Sequence, residues 1–242
     1  MPADPFVLVT CEHAGARVPA RYRRLFEGKK RLLLCHRGWD RGSLALARAL
    51  AGGLGAPLIA HGITRLLVDP NRSPHNPRRF SEVTAGLAPR ERAALERRYH
   101  EPHRARVREA VRRGMASGRS ALHVSVHTFA PVLKGRTRRA DLGLLYDPAR
   151  KAEALLCRRW REALKALAPG LRVRMNYPYR GTSDGLTTSL RKVFPQGYLG
   201  IEIEVNQKFT HRGRMDEIGA ALLEGLIRAI RAEERQGAPP PR

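Results

Sequence analysis

The residues of this chain that could do chemistry stand where short apolar runs break off. In VTCEHAGARVP, residues 9–19, a run that begins PFVLV gives way to Glu12 and His13, and Gly15 and Pro19 then prevent the strand from continuing. HVSVHTF, residues 123–129, alternates Val124 and Val126 with His123, Ser125 and His127. ITRLLVDPNRSPHN, residues 63–76, contains Asp69, Asn71 and Arg72 after its apolar run. YLGIEIEVNQKF, residues 198–209, sets Glu202 and Glu204 on one strand face and Ile201, Ile203 and Val205 on the other. A single histidine at a strand end is commonly structural, and a strand glutamate commonly faces solvent. Four such clusters at one kind of location point to one site, because buried acids and imidazoles must be paired or metal-bound.

Two imidazoles and a carboxylate suit a single zinc ion with an open position, where bound water becomes acidic at about pH 7. A second carboxylate can move that water's proton to a departing amine. An arginine can hold a substrate carboxylate through two parallel hydrogen bonds and so fix the scissile bond.

The elements that must position these residues follow from periodicity. Apolar, β-rich runs at about 6–10, 64–68, 121–127, 141–146, 171–175 and 198–205 alternate with helical patterns at roughly 41–54, 89–116, 148–167 and 215–235. That alternation predicts an α/β fold with a mostly parallel or mixed sheet covered on both faces and a ligand site beyond the carboxyl ends of its strands. The segment 89–116 mixes Glu and Arg, with Pro89 suited to a first helical turn; it is expected to be a solvated helix with His103 on its surface. YRGTSDGLTTSLRK, residues 179–192, reads as a loop between strands, a candidate wall or lid carrying Asp184 and Thr187. Residues 1–236 are expected to form a single catalytic domain and residues 237–242, proline-rich, a flexible tail.

Composition narrows the function. With 242 residues and 42% apolar content the chain can bury one full core. No apolar run approaches the roughly 18 residues that cross a bilayer, and the N-terminus lacks a secretory pattern, so a soluble, cytoplasmic protein is expected. Cys11, Cys35 and Cys157 are widely spaced and form no CxxC, which argues for reduced thiols rather than disulfides or a thiolate zinc site. The net charge of +24 is carried mostly by arginines spread along the chain, without a basic tail or a nucleic-acid motif. It predicts weak adhesion to polyanions at low salt rather than specific nucleic-acid binding.

Taken in order, CEHAG, GWDRG, RLLVDPNRSP, HVSVHTF and IEIEVNQ resemble the N-formylglutamate amidohydrolase family over about residues 7 to 209. The resemblance implies hydrolysis of the formamide of N-formyl-L-glutamate to formate and L-glutamate. It also implies a phosphorylase/hydrolase-like, three-layer α/β/α sandwich with a mixed, mostly parallel sheet, similar to zinc carboxypeptidases and aspartoacylases. By the same resemblance His13 and His127 are zinc ligands, Glu204 is the general base, and Arg72, assisted by Asn71, receives the substrate's free carboxylate. Asp69 is then the acid that orients a zinc histidine, and Arg65 a candidate for stabilising the oxyanion.

The acidic ligand departs from the carboxypeptidase pattern, which places it three residues after the first histidine, where this chain has Ala16. Asp40 in HRGWDRGS, just before an Ala/Leu-rich stretch, is favoured over Glu12, the reserve, because neighbours on an extended segment point in opposite directions. Asp40 could instead be a helix-N-terminal acid favoured by the dipole. The expected protein is a zinc-dependent amidohydrolase of a small N-acyl amino acid. A deacylase or carboxypeptidase-like hydrolase of another N-acyl amino acid would keep the same site, whereas a non-catalytic nucleic-acid-binding protein would not need it.

Overall fold

Alternating apolar residues build a central sheet whose two faces are covered differently. A computed structural model describes residues 5–116, 118–211 and 213–237. Its strands are β1 (Phe6–Cys11), β2 (Leu58–Ala60), β3 (Ala121–Phe129), the short hairpin pair β4 (Val132–Leu133) and β5 (Arg136–Thr137), β6 (Leu142–Leu145), β7 (Val173–Met175) and β8 (Tyr198–Asn206). Its helices are α1 (Lys30–Leu34), α2 (Ser43–Gly53), α3 (Pro89–Leu95), α4 (Glu101–Met115), α5 (Lys151–Leu167), α6 (Leu186–Val193), α7 (Lys208–His211) and α8 (Met215–Gly237). The six-stranded sheet has the order β2-β1-β3-β8-β6-β7, parallel at every pair except β8 with β6. This is the mixed, mostly parallel sheet expected, with helices on both sides.

Period-two patterning decides which layer each strand residue meets. Val9, Cys11, Leu122, Val124, Val126, Ile201 and Ile203 share one buried core with residues of α2, α5 and α8. Leu8, Ala121 and Tyr198 point the other way and pack with Val107 and Val111 of α4 and Leu186 and Leu190 of α6. On that second face the apolar residues stop toward the C-terminal ends of β1, β3 and β8, and Glu12, Ser125, His127, Glu202 and Glu204 take over.

Several elements differ from the sequence expectation, each for a physical reason. Residues 64–68 are not a strand: Arg65–Leu67 form a turn, and Leu66, Leu67 and Val68 are buried against Tyr22, Phe26, Phe80 and Leu95 in a separate cluster. An apolar run records burial, and burial by loops satisfies it as well as burial by a sheet. The edge strand is instead β2, three residues long and too short to show a period. The helix over 89–116 is interrupted by a π turn at Glu96–His100. Pro102 lacks the N–H of a regular helix and its ring crowds the carbonyl of Arg98, a conflict that a π turn absorbs. The second half of 179–192 lies in α6, Leu186–Val193, rather than in a loop. Of the tail expected at 237–242, residues 238–242 lie outside the described residues, and among those described no helix is long and apolar enough to cross a membrane.

Helix α6 is locked to the sheet by a buried ion pair. Glu153 of α5 is fully buried and accepts from the Gly200 amide of β8 at 3.0 Å, from Arg191 Nε of α6 at 2.9 Å and from the Asp147 amide at 2.9 Å. Arg191 in turn donates to the carbonyls of Gly181 and Gly200, each at 2.6 Å. Removing one member of a buried pair strands the other's charge. Glu153→Ala is therefore expected to lower unfolding free energy by about 3–5 kcal/mol in urea titration; a loss below about 1 kcal/mol would mean that this clamp does not hold α6.

Candidate active site

The site forms where two chain reversals dock on the ends of β1 and β3. After Cys11 the chain leaves the sheet at Glu12 and His13, and the His13 carbonyl accepts from the Asp40 amide at 3.0 Å, which brings the loop before α2 against it. His127 lies near the end of β3, and its register partner on β8 is Glu204.

His13, Asp40 and His127 converge there, all three nearly inaccessible to water, with one donor atom from each lying within 4.8 Å of the others. Asp40 Oδ2 is 3.2 Å from His13 Nδ1 and 2.9 Å from His127 Nδ1. The far nitrogen of each imidazole faces another acid: His13 Nε2 lies 2.8 Å from Asp69 Oδ1, and His127 Nε2 lies 3.1 Å from Glu12 Oε2. Ser125 Oγ donates to that same Glu12 oxygen at 2.6 Å. Glu12, the reserve ligand of the sequence, thus stands behind His127 rather than among the converging donors.

The donor set fits a divalent metal ion. Two Nδ1 atoms and one carboxylate oxygen face a common point, while Asp69 and Glu12 are placed to accept Nε2–H from the two rings, an arrangement that fixes each tautomer with its Nδ1 lone pair inward. Two imidazoles and a carboxylate are borderline-soft to hard ligands, suited to zinc and also to neighbouring divalent metals. Asp40, His13 and His127 would hold the ion.

Without such an ion, mutual pairing carries the buried charge. Burial works against ionised Asp40 and Asp69, but His13 and His127 beside Asp40, and Arg65 and His13 beside Asp69, hold both well below the usual carboxylate range. Burial likewise disfavours a charged His127, yet Asp40 and Glu12 push its pKa well up. Arg65 Nη1 lies 3.2 Å from His13 Nδ1, and Arg65 Nη2 donates to Asp69 Oδ2 at 3.1 Å. Glu204 is the opposite case: burial, with Asp40 and Glu202 nearby, outweighs His127 and raises its carboxyl to about 8, and its Oε2 has no hydrogen-bond partner. A buried carboxyl whose pKa is raised toward neutral pH beside paired imidazoles suits proton transfer.

A cavity of about 590 Å³ opens onto this cluster, lined by His13, Asp40, Arg65, Asp69, Asn71, Arg72, His127, Asp184 and Glu204 together with Arg37, Phe129, Tyr179 and Arg180. The segment carrying Asn71 and Arg72 is strapped down by α4 and the π turn before it, since Arg104 Nη1 donates to the carbonyls of Pro70 and Arg72, each at 3.1 Å, and His100 Nε2 donates to the Arg72 carbonyl at 2.8 Å. Arg72 Nη1 donates to the Asp184 carbonyl at 3.0 Å, and Asn71 Oδ1 accepts from the Leu186 amide at 2.7 Å, joining this segment to the start of α6. Thr187 lies behind the wall, fully buried, its hydroxyl bonded to Glu202. Asp184 reaches the cavity but spends its carboxylate on the Ser73 amide and on Asn76 Nδ2, at 3.1 and 2.7 Å.

His103 is not the surface histidine expected. It is 4% exposed and lies 3.7 Å from Glu12 Oε1, with His61 edge-on to its ring at a centroid distance of 5.2 Å. His61, next to a three-residue edge strand, carries no sequence signal that separates it from a surface residue, and the arginine-rich pattern around His103 favours a surface position. Ser125 does carry a signal, by sharing a strand face with His127.

The family model described as N-formylglutamate amidohydrolase matches residues 6–210. The crystal structure of a gene product from Agrobacterium tumefaciens is 32% identical, covers 96% of this chain and 93% of its own, and superposes with a TM-score of 0.80. The crystal structure of N-formylglutamate amidohydrolase from Ralstonia eutropha JMP134 is 20% identical over 97% of this chain and 96% of its own, with a TM-score of 0.65, a likeness of fold. No curated protein matches the chain.

The Asp184 contacts generate a pH prediction. Burial pushes its carboxyl up, but the hydrogen bonds from Asn76 and Ser73 and the charge of Arg72 prevail and hold it below its ordinary value of 3.8. A depressed carboxylate stabilises the fold above that value and loses its contribution as pH falls through the folded pKa. Wild type should therefore exceed Asp184→Asn by about 1 kcal/mol at pH 7, with the gap closing below about pH 4 in thermal unfolding; a gap that stays constant with pH would remove the carboxylate's charge from the explanation.

Proposed function

This chain belongs to the N-formylglutamate amidohydrolase family, and from that premise we propose that it is a metal-dependent amide hydrolase that cleaves N-formyl-L-glutamate to formate and L-glutamate, with zinc as the metal. The observation that carries the proposal is the convergence of His13, Asp40 and His127 on one point beside Glu204, whose Oε2 has no hydrogen-bond partner and whose carboxyl is raised to about 8. A divalent ion held by those three side chains would supply Lewis acidity to the amide oxygen and would lower the pKa of a water bound to it.

The chain's own residues do the rest. Glu204 takes a proton from the attacking water and returns it to the departing nitrogen, a role that suits a buried carboxyl whose pKa lies near the working pH. Arg65, partly exposed on the cavity wall and kept charged by Asp69 and Asp40, donates to the oxygen that becomes anionic in the tetrahedral intermediate. Arg72 presents its guanidinium to the substrate's free carboxylate with Asn71 alongside, and a fixed anchor there sets the amide against the cluster. Asp184 and Thr187 support this wall, Asp184 through the Ser73 and Asn76 contacts and its carbonyl bond from Arg72, Thr187 by its bond to Glu202. Three free thiols, two of them buried, suit a reducing cytoplasm.

The deciding experiment measures zinc content of wild type and His127→Ala together with formate release from N-formylglutamate, with and without chelator. One zinc per chain in wild type, lost in the variant, with chelator-sensitive formate release, is the expected result. Zinc without formate release would remove the formyl group from the proposal, and a wild type that takes up no metal on reconstitution would remove the metal centre. For the base, Glu204→Gln should retain zinc and fold while turnover falls by about two to four orders of magnitude; near-normal turnover would sink its assignment.

A further inference from the structure

Behind the proposed metal ligands lies a second layer of buried polar groups that the hydrolytic steps do not use. Glu12 is completely enclosed, and its two carboxylate oxygens are treated unequally. Oε2 is held by Ser125 Oγ at 2.6 Å and by His127 Nε2 at 3.1 Å. Oε1 has no hydrogen bond, and 3.7 Å away is His103 Nε2, also buried and without one. Two orphaned buried atoms of complementary chemistry, a carboxylate oxygen and an imidazole nitrogen, thus face each other across slightly more than hydrogen-bond distance. His103 has little freedom to turn away: it is carried by α4, whose neighbours His100 and Arg104 are tied to the Arg72 segment, and its ring abuts His61. His61 is also buried, and burial lowers its pKa to about 3, so it adds no charge to the cluster.

A carboxylate with no access to water must be compensated locally. The partners available to Glu12 are Ser125 and His127 on one oxygen and His103 on the other. Remove His103 and Oε1 loses its facing imidazole, the carboxylate is free to rotate about its last bond, and the His127 ring loses a fixed reference for Nε2. Since Nδ1 of that ring must stay turned toward Asp40, the consequence reaches the metal point without His103 touching it.

We propose that Glu12 and His103 form a positioning pair, in which His103 of α4 pins the Glu12 carboxylate and Glu12 in turn fixes the His127 ring with Nδ1 directed at the metal point, so that α4 sets the metal affinity of the site. This rests on the metal reading above and names residues to which the hydrolytic roles give no task. Glu12 and His103 are positioning residues, not catalytic ones: neither lines the cavity.

The test is zinc affinity, read by competition with a chromogenic chelator on metal-free protein, with thermal unfolding of the same samples. The set is wild type, Glu12→Gln, His103→Ala, His103→Gln and His123→Gln. His123 serves as the control because it is an equally buried histidine of β3 that is hydrogen-bonded to Thr10 Oγ1 and Tyr198 Oη, at 2.8 and 2.7 Å, and not to Glu12 or to the three donors. Glu12→Gln and His103→Ala should bind zinc about 10- to 100-fold more weakly than wild type, the range typical of groups that orient metal ligands. His103→Gln, whose amide can donate toward Oε1, should recover most of the affinity, and His123→Gln should lower stability with affinity unchanged. Unaltered affinity in His103→Ala overturns the inference, and so does an equal loss in all four variants, which would mean only general loosening of the fold. If wild type itself takes up no zinc, the metal reading has failed and the inference falls with it, an outcome visible in the first sample.

Discussion

Three carboxylates with almost no access to water, those of Glu12, Asp40 and Asp69, are held around two imidazoles and one guanidinium, and the architecture is arranged to make that concentration of charge tolerable. Like charges in a low-dielectric interior repel strongly unless cations or hydrogen-bond donors separate them. Here each acid is interleaved with a basic group: Asp69 between His13 and Arg65, Asp40 between His13 and His127, Glu12 between His127 and His103. A divalent ion among the inner donors would add the positive charge that this arrangement calls for, which is why the same residues suit both structural pairing and metal binding.

Such pairing works only if the partners cannot drift, and the fold divides that task between its layers. The face covered by α2, α5 and α8 carries the larger apolar core, with Val9, Cys11, Leu122, Val124, Val126, Ile201, Ile203 and Val205 buried against those helices. The opposite face is apolar where α4 and α6 cover it and polar at the strand ends beyond them. Helix α4 does more than cover the sheet. His100, which ends the π turn that accommodates Pro102, and Arg104 of α4 grip the carbonyls of the segment bearing Asn71 and Arg72, while His103 faces Glu12. A π turn adds a residue to one helical turn and so resets which side chains face inward, a device frequent near functional sites.

The unequal treatment of the carboxyl groups is the chemical outcome. Asp40 and Asp69 lie among cations that hold their carboxyls well below the usual range, whereas burial raises the carboxyl of Glu204, on the same strand face as Glu202 and with one oxygen unpartnered, to about 8. In the proposed reading, carboxyl groups are thereby separated by their surroundings into a metal ligand, Asp40, a partner of one imidazole, Asp69, and a proton carrier, Glu204.

Much of this was determined by the sequence itself. The alternation of β-rich runs with helical periods specified a mixed α/β sheet covered on both faces, and period two along HVSVHTF and IEIEVN placed His127, Ser125, Glu202 and Glu204 on one face, because a strand's alternation is a local property. Spacing also marked His13, Asp69, Asn71 and Arg72 at the ends of apolar runs. What only the tertiary structure decided concerns partners distant in the chain. Asp40, rather than the adjacent Glu12, shares the space between the two Nδ1 atoms because its backbone amide docks on the His13 carbonyl. Residues 64–68 are buried by a loop cluster instead of a sheet, α6 forms where glycine and threonine suggested a loop, and His103 is enclosed although its helix is rich in charge. In each case the local pattern records how apolar or polar a segment is, while burial depends on which remote segment comes to cover it.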